Sequence, residues 1–493
     1  MDAPAAYGEL RLRLSEVYDL GKSAALAGWD QRTQMPPAGA PARAEVLGTV
    51  TRLAHERFVS DEVGALLEEL RSFEESVEYD SDEASLIRVT RHDYEKLRRV
   101  PPTLRAEISR AGAIGHTAWE RARRESDFAL LLRHLERNLE LKREYVDCFE
   151  PAEEDYDHLL DDFEPGMTTA EVRAVFDEVK EGLVPLIDEV ADESRAVDDS
   201  CLRGHWPVES QKRFERAVLD AFGYDADSWR TDETEHPFAS NLAVTDIRLT
   251  TRHHDHNLTS VFAVMHEFGH GLYERQVDLA LERTPLARGA SLGLHESQSR
   301  LWENLVGRSL PFWTRFYPDL QATFSHQLGS VEPETFYRSI NKVEPSLIRI
   351  YADEATYNLH IILRFELEQE LLSGAVAAAE LPSAWDARME EYLGIEVADV
   401  ADGVLQDMHW AGGLIGYFPT YALGNIISAQ LWERLLEDVP DLHEQIELGE
   451  FATLRDWLRE HLHRHGRKFT PRETLERPSE DRSTRLRICV TCA

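Results

Sequence analysis

Apolar residues recur every three or four positions along most of this 493-residue chain, and few segments alternate between apolar and polar residues. The first spacing is typical of an amphipathic α-helix and the second of a half-buried β-strand. The sequence therefore predicts a mainly α-helical protein with at most a minimal β element. Residues 233–252 are the least helical part, and any short strand or hairpin is expected there.

The chain shows no Ser/Gly-rich linker and no internal repeat that would separate it into modules. We therefore expect one continuous helical domain over residues 1–477. Residues 478–493 form a basic segment with Ser and Thr and no amphipathic pattern, and we expect a disordered tail there.

Charge is the dominant feature of the composition, because 91 Asp and Glu face 54 Lys and Arg, for a formal net charge of −37. Such a surface repels nucleic-acid phosphates and anionic lipid headgroups, so neither is an expected partner. Only seven of the basic residues are Lys. An acidic, Lys-poor surface suits a protein that stays hydrated in concentrated salt, which leads to the hypothesis of a halophile's protein.

Four cysteines in a chain of this length do not form a disulfide framework, which favours a reducing compartment. The N-terminal residues lack the basic and apolar regions of a signal peptide. We therefore expect a cytoplasmic protein.

An apolar segment, residues 260–274, contains the sequence His266-Glu267-Phe-Gly-His270. Two histidines four residues apart lie on one face of a helix, where both imidazoles can bind one Zn²⁺ ion. Glu267 would lie beside the open coordination position and could take a proton from the attacking water. Gly269 and Gly271 leave room for another element to approach this helix closely.

A third ligand must come from another segment, and a glutamate on a following helix is a common solution. Glu296 lies 26 positions after His270, far enough for a second helix to return antiparallel. Glu303, two turns later on the same face, is the competing ligand. We favour Glu296, with Glu303 as a hydrogen-bonding partner of a ligand imidazole.

Peptide hydrolysis also needs donors for the carbonyl oxygen of the tetrahedral state. His409 and Tyr417 are donor types suited to this task, and Tyr421 is an alternative to Tyr417. On the sequence alone, a hydrogen-bonded core histidine and a packing tyrosine are the more ordinary interpretations.

Taken together, the motifs resemble those of the M32 metallocarboxypeptidases, the carboxypeptidase Taq group. The resemblance extends over most of the chain and rests on ordered segments: Trp29-Asp30-Gln31 with Met35-Pro36-Pro37, Tyr156-Asp157 with Glu164-Pro165-Gly166, His236-Pro237-Phe238, Asp246-x-Arg248-x-Thr250, His266 to His270, His295-Glu296-Ser297-Gln298, Ile348-Arg349-x-x-Ala352-Asp353, and Gly403-x-x-Gln406-Asp407-x-His409-Trp410. After about Pro471 the sequence departs from the family, because it lacks the amphipathic pattern of the helix with which family members usually close.

The resemblance implies a two-lobed helical zinc-peptidase fold with a deep groove, and also a homodimer. It implies that His266, His270 and Glu296 bind one divalent metal ion, Zn²⁺ or alternatively Co²⁺, and that Glu267 is the general base. An exopeptidase must bind the free carboxylate of its substrate, which Arg does through a planar fork. Arg349 is the first candidate for this role and Arg248 the second. The remaining candidates by family motif are His409 and Tyr417 as oxyanion donors, and His236, Gln406 and Asp407 as substrate-binding residues.

The sequence thus predicts a metal-dependent carboxypeptidase that releases single amino acids from peptide C-termini with broad specificity. The nearest alternative is a related zinc oligopeptidase that cuts internally or releases dipeptides. A peptide-binding scaffold with a structural metal is a further alternative, although such a site has no need of Glu267.

Overall fold

The structure is a computed structural model that describes residues 2–477. The tail expected over residues 478–493 lies outside the described residues. As predicted, the described chain is mainly α-helical, with one small sheet in the middle of the sequence.

The elements follow one another in two helical series separated by three strands. The helices before the sheet are α1 (Ala3–Thr33), α2 (Ala40–Phe58), α3 (Asp61–Glu69), α4 (Arg71–Ser76), α5 (Asp82–Arg99), α6 (Pro102–Glu125), α7 (Ala129–Val146), α8 (Tyr156–Leu160), α9 (Thr169–Arg195) and α10 (Val208–Phe222). The strands are β1 (Trp229–Glu233), β2 (Ala239–Ala243) and β3 (Asp246–Thr251). The helices after the sheet are α11 (Thr259–Arg275), α12 (Leu292–Arg300), α13 (Leu310–Thr323), α14 (Ser325–Leu328), α15 (Pro333–Ile340), α16 (Glu354–Ser373), α17 (Leu381–Leu393), α18 (Pro419–Asp438), α19 (Leu442–Leu448), α20 (Ala452–His461) and α21 (Pro471–Glu476).

The sheet has the order β1-β3-β2, with β3 in the centre. Strand β2 is antiparallel to β3, whereas β1 runs parallel to β3 with Trp229 opposite Ile247. The strands fall in the region that the sequence marks as least helical, although β1 begins four residues earlier. Strand β3 buries Ile247, Leu249 and Thr251 beside α11.

Contacts within the chain define two compact units. Among the described residues, the first unit consists of 2–98, 199–340 and 431–477, and the second of 99–198 and 341–430. The single domain expected over residues 1–477 remains a prediction.

In the first unit, an aromatic core fixes the helix that carries the two histidines. The ring of Phe222 lies 4.5 Å from Trp302 and 5.3 Å from Phe268, and Phe268 also contacts Trp302 edge-on at 5.0 Å. All three side chains are fully buried. Burial of aromatic area on this scale holds α10, α11 and the segment after α12 in a fixed arrangement.

In the second unit, buried polar groups hold the loop before α18. Asn138 donates from Nδ2 to the carbonyls of Trp410 and Ala411, at 3.0 and 2.7 Å. The buried carboxylate of Glu368 accepts from Trp410 Nε1 at 2.7 Å and from the Gly416 amide at 2.9 Å. These bonds fix the backbone that carries His409.

Among the helices of residues 2–477, none combines the length and the apolar character needed to cross a lipid bilayer.

Candidate active site

The two histidines of α11 and one glutamate of α12 lie together in the first unit. Oε2 of Glu296 is 3.6 Å from Nε2 of His266 and 3.5 Å from Nε2 of His270. One ligand atom from each residue lies within 4.8 Å of the other two. A tetrahedral zinc site with bonds of about 2.05 Å places its ligand atoms about 3.4 Å apart, so the three side chains fit one ion.

Two glycines allow α11 to approach its neighbours closely enough for this geometry, as the sequence predicts. A Cβ atom on Gly269 would lie 2.3 Å from the carbonyl oxygen of Gln298 on α12. A Cβ atom on Gly271 would lie 2.5 Å from the ring of Trp229 on β1. Any larger residue at position 269 would therefore separate the two helices that carry the candidate ligands.

The segment after Glu296 has unusual helical geometry. Ser291 begins α12 by accepting from the Leu294 amide at 3.1 Å. Beyond Arg300 the chain continues as a π-helix over Leu301–Val306, a wide form of helix that often occurs at functional sites. This π-helix carries Glu303, whose Oε2 lies 2.8 Å from Nδ1 of His266. Glu303 therefore contacts the other nitrogen of the imidazole that faces Glu296.

Arg300 joins the two carboxylates. It donates from Nε to Oε1 of Glu296 at 2.8 Å and from a terminal nitrogen to Glu303 at 3.3 Å. This arrangement leaves Oε2 of Glu296 directed at the histidines. Sequence reasoning missed this role, because Arg300 belongs to none of the motifs.

The protonation states of Glu296 and His270 fit a divalent cation. Burial favours the neutral form of Glu296, but Arg300 and the two histidines outweigh burial and hold the pKa of Glu296 well below its usual value. Burial lowers the pKa of His270 to about 4. At neutral pH the site therefore offers a carboxylate and a neutral imidazole, the forms that bind metal. Burial lowers the pKa of His266, but Glu296 and Glu303 outweigh burial and raise it, so this imidazole must release a proton when it binds metal.

Glu267 follows His266 on α11 and interacts electrostatically with His266, Glu296 and Glu303. Its side chain is buried, and among the described residues its Oε2 has no hydrogen-bond partner. Burial, reinforced by the charges of Glu296 and Glu303, raises the pKa of Glu267 to about 7. A carboxylate whose pKa lies near the working pH is well suited to taking up and giving back a proton.

The motifs around the sheet form one connected structure in the first unit. Thr250 accepts from the Phe238 amide at 2.7 Å and donates to the Phe238 carbonyl at 2.8 Å, which joins the two motifs. Arg248 forms a fork with Asp246 at 3.0 and 3.1 Å and lies over the ring of Trp29 at 4.5 Å. His236 is exposed in the segment before β2.

Arg349 lies in the second unit, in a 3₁₀ turn over Arg349–Tyr351. Its guanidinium donates to Asp407 at 2.7 Å and to the hydroxyl of Tyr357 at 2.9 Å. Arg364 approaches the other oxygen of Asp407 at 2.6 Å and is fully buried. Two arginines thus share one carboxylate, and the cluster retains an excess positive charge.

Gln406 and Asp407, predicted to bind substrate, direct their polar atoms at the protein itself. Gln406 accepts from the Arg349 amide at 2.9 Å and donates to the carbonyls of Leu347 and Asp402. Asp407 is occupied by the two arginines. Their contacts position Arg349.

His409 and Tyr417 lie together in the second unit. Their rings stack with centroids 5.4 Å apart, and Tyr421 lies 5.3 Å from Tyr417 in an edge contact. Burial, aided by the positive charges of Arg349 and Arg364, lowers the pKa of His409 to about 4. The imidazole is therefore neutral near pH 7 and carries one N–H donor.

The structure thus brings the predicted residues together in two sets. The first unit contains His266, Glu267, His270 and Glu296, together with His236 and Arg248. The second unit contains Arg349, Gln406, Asp407, His409 and Tyr417. Sequence reasoning missed Arg364, although an arginine within the apolar run of α16 is a signal of a buried ion pair.

Comparisons with known proteins show which family this sequence and this fold resemble. The sequence profile of the Carboxypeptidase Taq (M32) metallopeptidase family matches residues 9–483. Thermostable carboxypeptidase 1 of Thermus thermophilus is 41% identical over 487 residues, which cover 97% of this chain and 95% of that protein. Carboxypeptidase 1 of Bacillus subtilis is 38% identical over 464 residues, covering 94% and 92%. The crystal structure of the M32 carboxypeptidase from Deinococcus radiodurans R1 superposes with a TM-score of 0.93 at 38% identity, covering 98% of this chain and 96% of that one.

Proposed function

Because this chain belongs to the carboxypeptidase Taq (M32) family of metallopeptidases and is a metal-dependent carboxypeptidase, we propose that His266, His270 and Glu296 hold its metal ion. The separation of their ligand atoms and the ionised state of Glu296 support this assignment. Two imidazoles and one carboxylate form the donor set of many catalytic zinc sites, so Zn²⁺ is the proposed metal and Co²⁺ the alternative.

The bound cation supplies Lewis acidity, which acidifies water and polarises the scissile carbonyl. Glu267 takes the proton of the attacking water and passes it to the nitrogen of the leaving amino acid. The buried position of Glu267 and its pKa of about 7 support both transfers.

Arg349 is proposed to pair with the terminal carboxylate of the peptide. The excess positive charge of its cluster favours a second carboxylate in addition to Asp407. Gln406 and Asp407 then act as positioning residues, because they fix the backbone and the guanidinium of Arg349. Arg248 remains the second candidate for the clamp, and His236 a substrate-lining residue.

His409 and Tyr417 are proposed to donate hydrogen bonds to the carbonyl oxygen as it gains negative charge. A neutral imidazole and a phenol can both donate, and the network of Asn138 and Glu368 holds their backbone in place. Tyr421 is the alternative donor to Tyr417. Together these roles would give removal of single C-terminal residues, and broad side-chain tolerance is proposed from the family resemblance alone.

The observation that carries the proposal is the placement of three ligand atoms on α11 and α12, together with a buried Glu267 that interacts electrostatically with His266 and Glu296. It is tested by mass spectrometry of a mixed peptide set incubated with the protein in high KCl, with and without a chelator. A ladder of single C-terminal losses that the chelator abolishes is the expected result. Internal fragments, or cutting of peptides amidated at the C-terminus, would instead support the oligopeptidase alternative.

The charge of −37 supports a further proposal, that the protein works in concentrated salt. Several of the few lysines have specific partners: Lys180 pairs with Glu366 at 2.6 Å and Lys468 with Asp82 at 2.6 Å. Some of the few lysines therefore form close ion pairs, in a chain otherwise rich in Arg. Helicity and activity are expected to rise with KCl, and a protein fully folded and active without salt would refute the proposal.

Two other assignments rest on the family and on composition. A homodimer is proposed from the resemblance, and sedimentation equilibrium at high KCl distinguishes it from a monomer. A cytoplasmic location is proposed because four cysteines in 493 residues are fewer than a disulfide-stabilised extracellular protein would be expected to carry.

A further inference from the structure

The two candidate histidine ligands are supported in different ways. Nδ1 of His266 meets the carboxylate of Glu303 directly. Nδ1 of His270 instead lies 2.7 Å from Nδ1 of another histidine, His295. A contact this short between two ring nitrogens requires that one donates and the other accepts.

The direction of this bond follows from the metal site. If His270 binds the metal through Nε2, which faces Glu296, its proton must be on Nδ1 and it donates to His295. His295 then has its own proton on Nε2. That nitrogen lies 2.8 Å from Oε1 of Glu274, a buried carboxylate that can accept it.

A second set of contacts fixes Glu274, at the end of this series of hydrogen bonds. Lys22 on α1 donates from Nζ to Oδ1 of Asn241 at 2.9 Å and to the carbonyl of Asn241 at 3.0 Å. An ammonium group has only donors, so the amide of Asn241 must turn its oxygen to Lys22 and its nitrogen to Glu274. The Asn241 nitrogen does donate to Oε2 of Glu274. The Gly289 amide donates to Oε1 of the same carboxylate at 3.1 Å.

Packing leaves His295 little freedom to turn away from this arrangement. The ring of Tyr273 lies 5.2 Å from the ring of His295. A Cβ atom on Gly289 would lie only 2.8 Å from Cδ2 of His295. His295 is therefore held in one orientation between His270 and Glu274.

We propose that Lys22, Asn241, Glu274 and His295 are positioning residues that form one directed hydrogen-bond chain and hold His270 in the tautomer that binds metal through Nε2. The chain gives His270 the carboxylate support that His266 receives directly from Glu303, and it makes metal affinity depend on a lysine of the N-terminal helix. The inference rests on the proposed metal site. Carboxylates that support ligand histidines raise ligand basicity and fix ring orientation.

The replacement Glu274→Gln tests this hydrogen-bond chain. It keeps the size of the side chain but replaces one acceptor oxygen with an NH₂ donor. With Lys22 and Asn241 in place, the Gln oxygen must face Asn241, and its NH₂ group then meets the donors of His295 and Gly289. We expect the dissociation constant for Zn²⁺, measured by chelator competition, to rise about 10- to 100-fold. The exposed variant Glu62→Gln is the matched control and should leave it unchanged.

A double variant separates this role from a simple loss of structure. In Lys22→Met with Glu274→Gln, no ammonium fixes Asn241, so its amide can turn and the Gln oxygen can face His295. We expect the double variant to bind Zn²⁺ more tightly than Glu274→Gln alone. An equal or weaker affinity in the double variant would overturn the proposal, as would an unchanged dissociation constant in Glu274→Gln.

The thermal midpoint of each metal-free variant checks that the fold is retained, and affinities are compared only among folded proteins. Zn²⁺ binding by the parent and by His270→Ala separates an error in this inference from an error in the proposed metal site. If the parent binds Zn²⁺ and His270→Ala abolishes binding, the metal site stands whatever the Glu274 variants do. If the parent does not bind Zn²⁺ at His270, the proposed function itself fails.

Discussion

Oε2 of Glu303 lies 2.8 Å from Nδ1 of His266, the imidazole whose Nε2 faces Glu296. The two glutamates that the sequence offers as alternatives thus contact different nitrogens of one ring. A ring nitrogen that donates to a carboxylate leaves its partner nitrogen free to bind a cation. The contact supports the proposal that Glu296 is the metal ligand and that Glu303 supports His266.

The two glutamates should therefore respond differently to the same replacement. Glu303→Gln is expected to weaken Zn²⁺ binding about 10- to 100-fold while keeping one site per chain. Glu296→Gln removes a charged ligand and should weaken binding much further. Metal content and chelator competition measure both effects. Weaker binding in the Glu303 variant than in the Glu296 variant would reverse the assignment.

Gly269 is expected to tolerate no side chain. Gly269→Ala places a methyl group 2.3 Å from the Gln298 carbonyl, and backbone cannot yield as a flexible side chain can. We expect a loss of about 1–3 kcal/mol in unfolding free energy together with weaker metal binding. Gly182→Ala is the control, because its Cβ would meet nothing within 4 Å, and this change should stabilise helix α9 by about 1 kcal/mol. Equal stability of the two variants would contradict the close approach of α11 and α12.

His253 should stabilise the start of α11 in a pH-dependent way. It contacts Glu215 at 2.9 Å and Glu233 at 3.0 Å, and Glu215 accepts from Ser260 at 2.6 Å. Burial alone would lower the pKa of His253, but the two carboxylates outweigh burial and raise it. The charged form is thus favoured by folding, and its contribution is complete below a pH of about 6.5 and lost as the pH rises through the folded pKa.

His253→Gln is therefore expected to cost about 1–3 kcal/mol at pH 6 and clearly less at pH 9. Urea unfolding at fixed KCl concentration measures the difference. The exposed residue His256 provides the control, and His256→Gln should change stability by less than about 0.5 kcal/mol at both pH values. An equal cost of His253→Gln at pH 6 and pH 9 would refute the charged pairing.

We expect peptide hydrolysis to require the planar guanidinium group of Arg349. Arg349→Lys keeps the charge but not the fork, and Asp407 remains paired with Arg364. We expect kcat/KM for peptides with a free C-terminus to fall about 10- to 100-fold, as for the loss of a charged hydrogen bond. Arg248→Lys is the comparison, and a larger loss there would transfer the clamp to Arg248.

The sequence could predict features that depend on residues close together along the chain. His266, Glu267 and His270 need only helical spacing, and the helical class of the fold follows from the same period. The sequence also favours Glu296 over Glu303 as the ligand. It does not predict the π-helix that carries Glu303, because this form of helix has no distinctive periodicity of apolar residues. The sharing of Asp407 by two arginines, and the partnership of His295 with Glu274, join residues of distant segments and different elements. Such contacts depend on packing, which a pattern of residues does not specify.

The sheet illustrates the same limit. Its region was predicted, and the antiparallel pairing of β2 with β3 is local. The parallel pairing of Trp229 with Ile247 brings together strands separated by β2, and it extends the sheet upstream of the expected residues. Strands of five or six residues with mixed burial carry too little alternation to reveal that partner.

The central claim is that Glu267 transfers protons beside a metal held by His266, His270 and Glu296. Glu267→Gln tests it most directly, because the carboxamide keeps the size and cannot act as a base. The measurement is the rate of C-terminal residue release together with the Zn²⁺ content and dissociation constant of the same preparation. We expect one Zn²⁺ per chain bound as tightly as in the parent and a rate lower by about 10²- to 10⁴-fold. A variant that binds the metal and hydrolyses peptides as fast as the parent would contradict the claim.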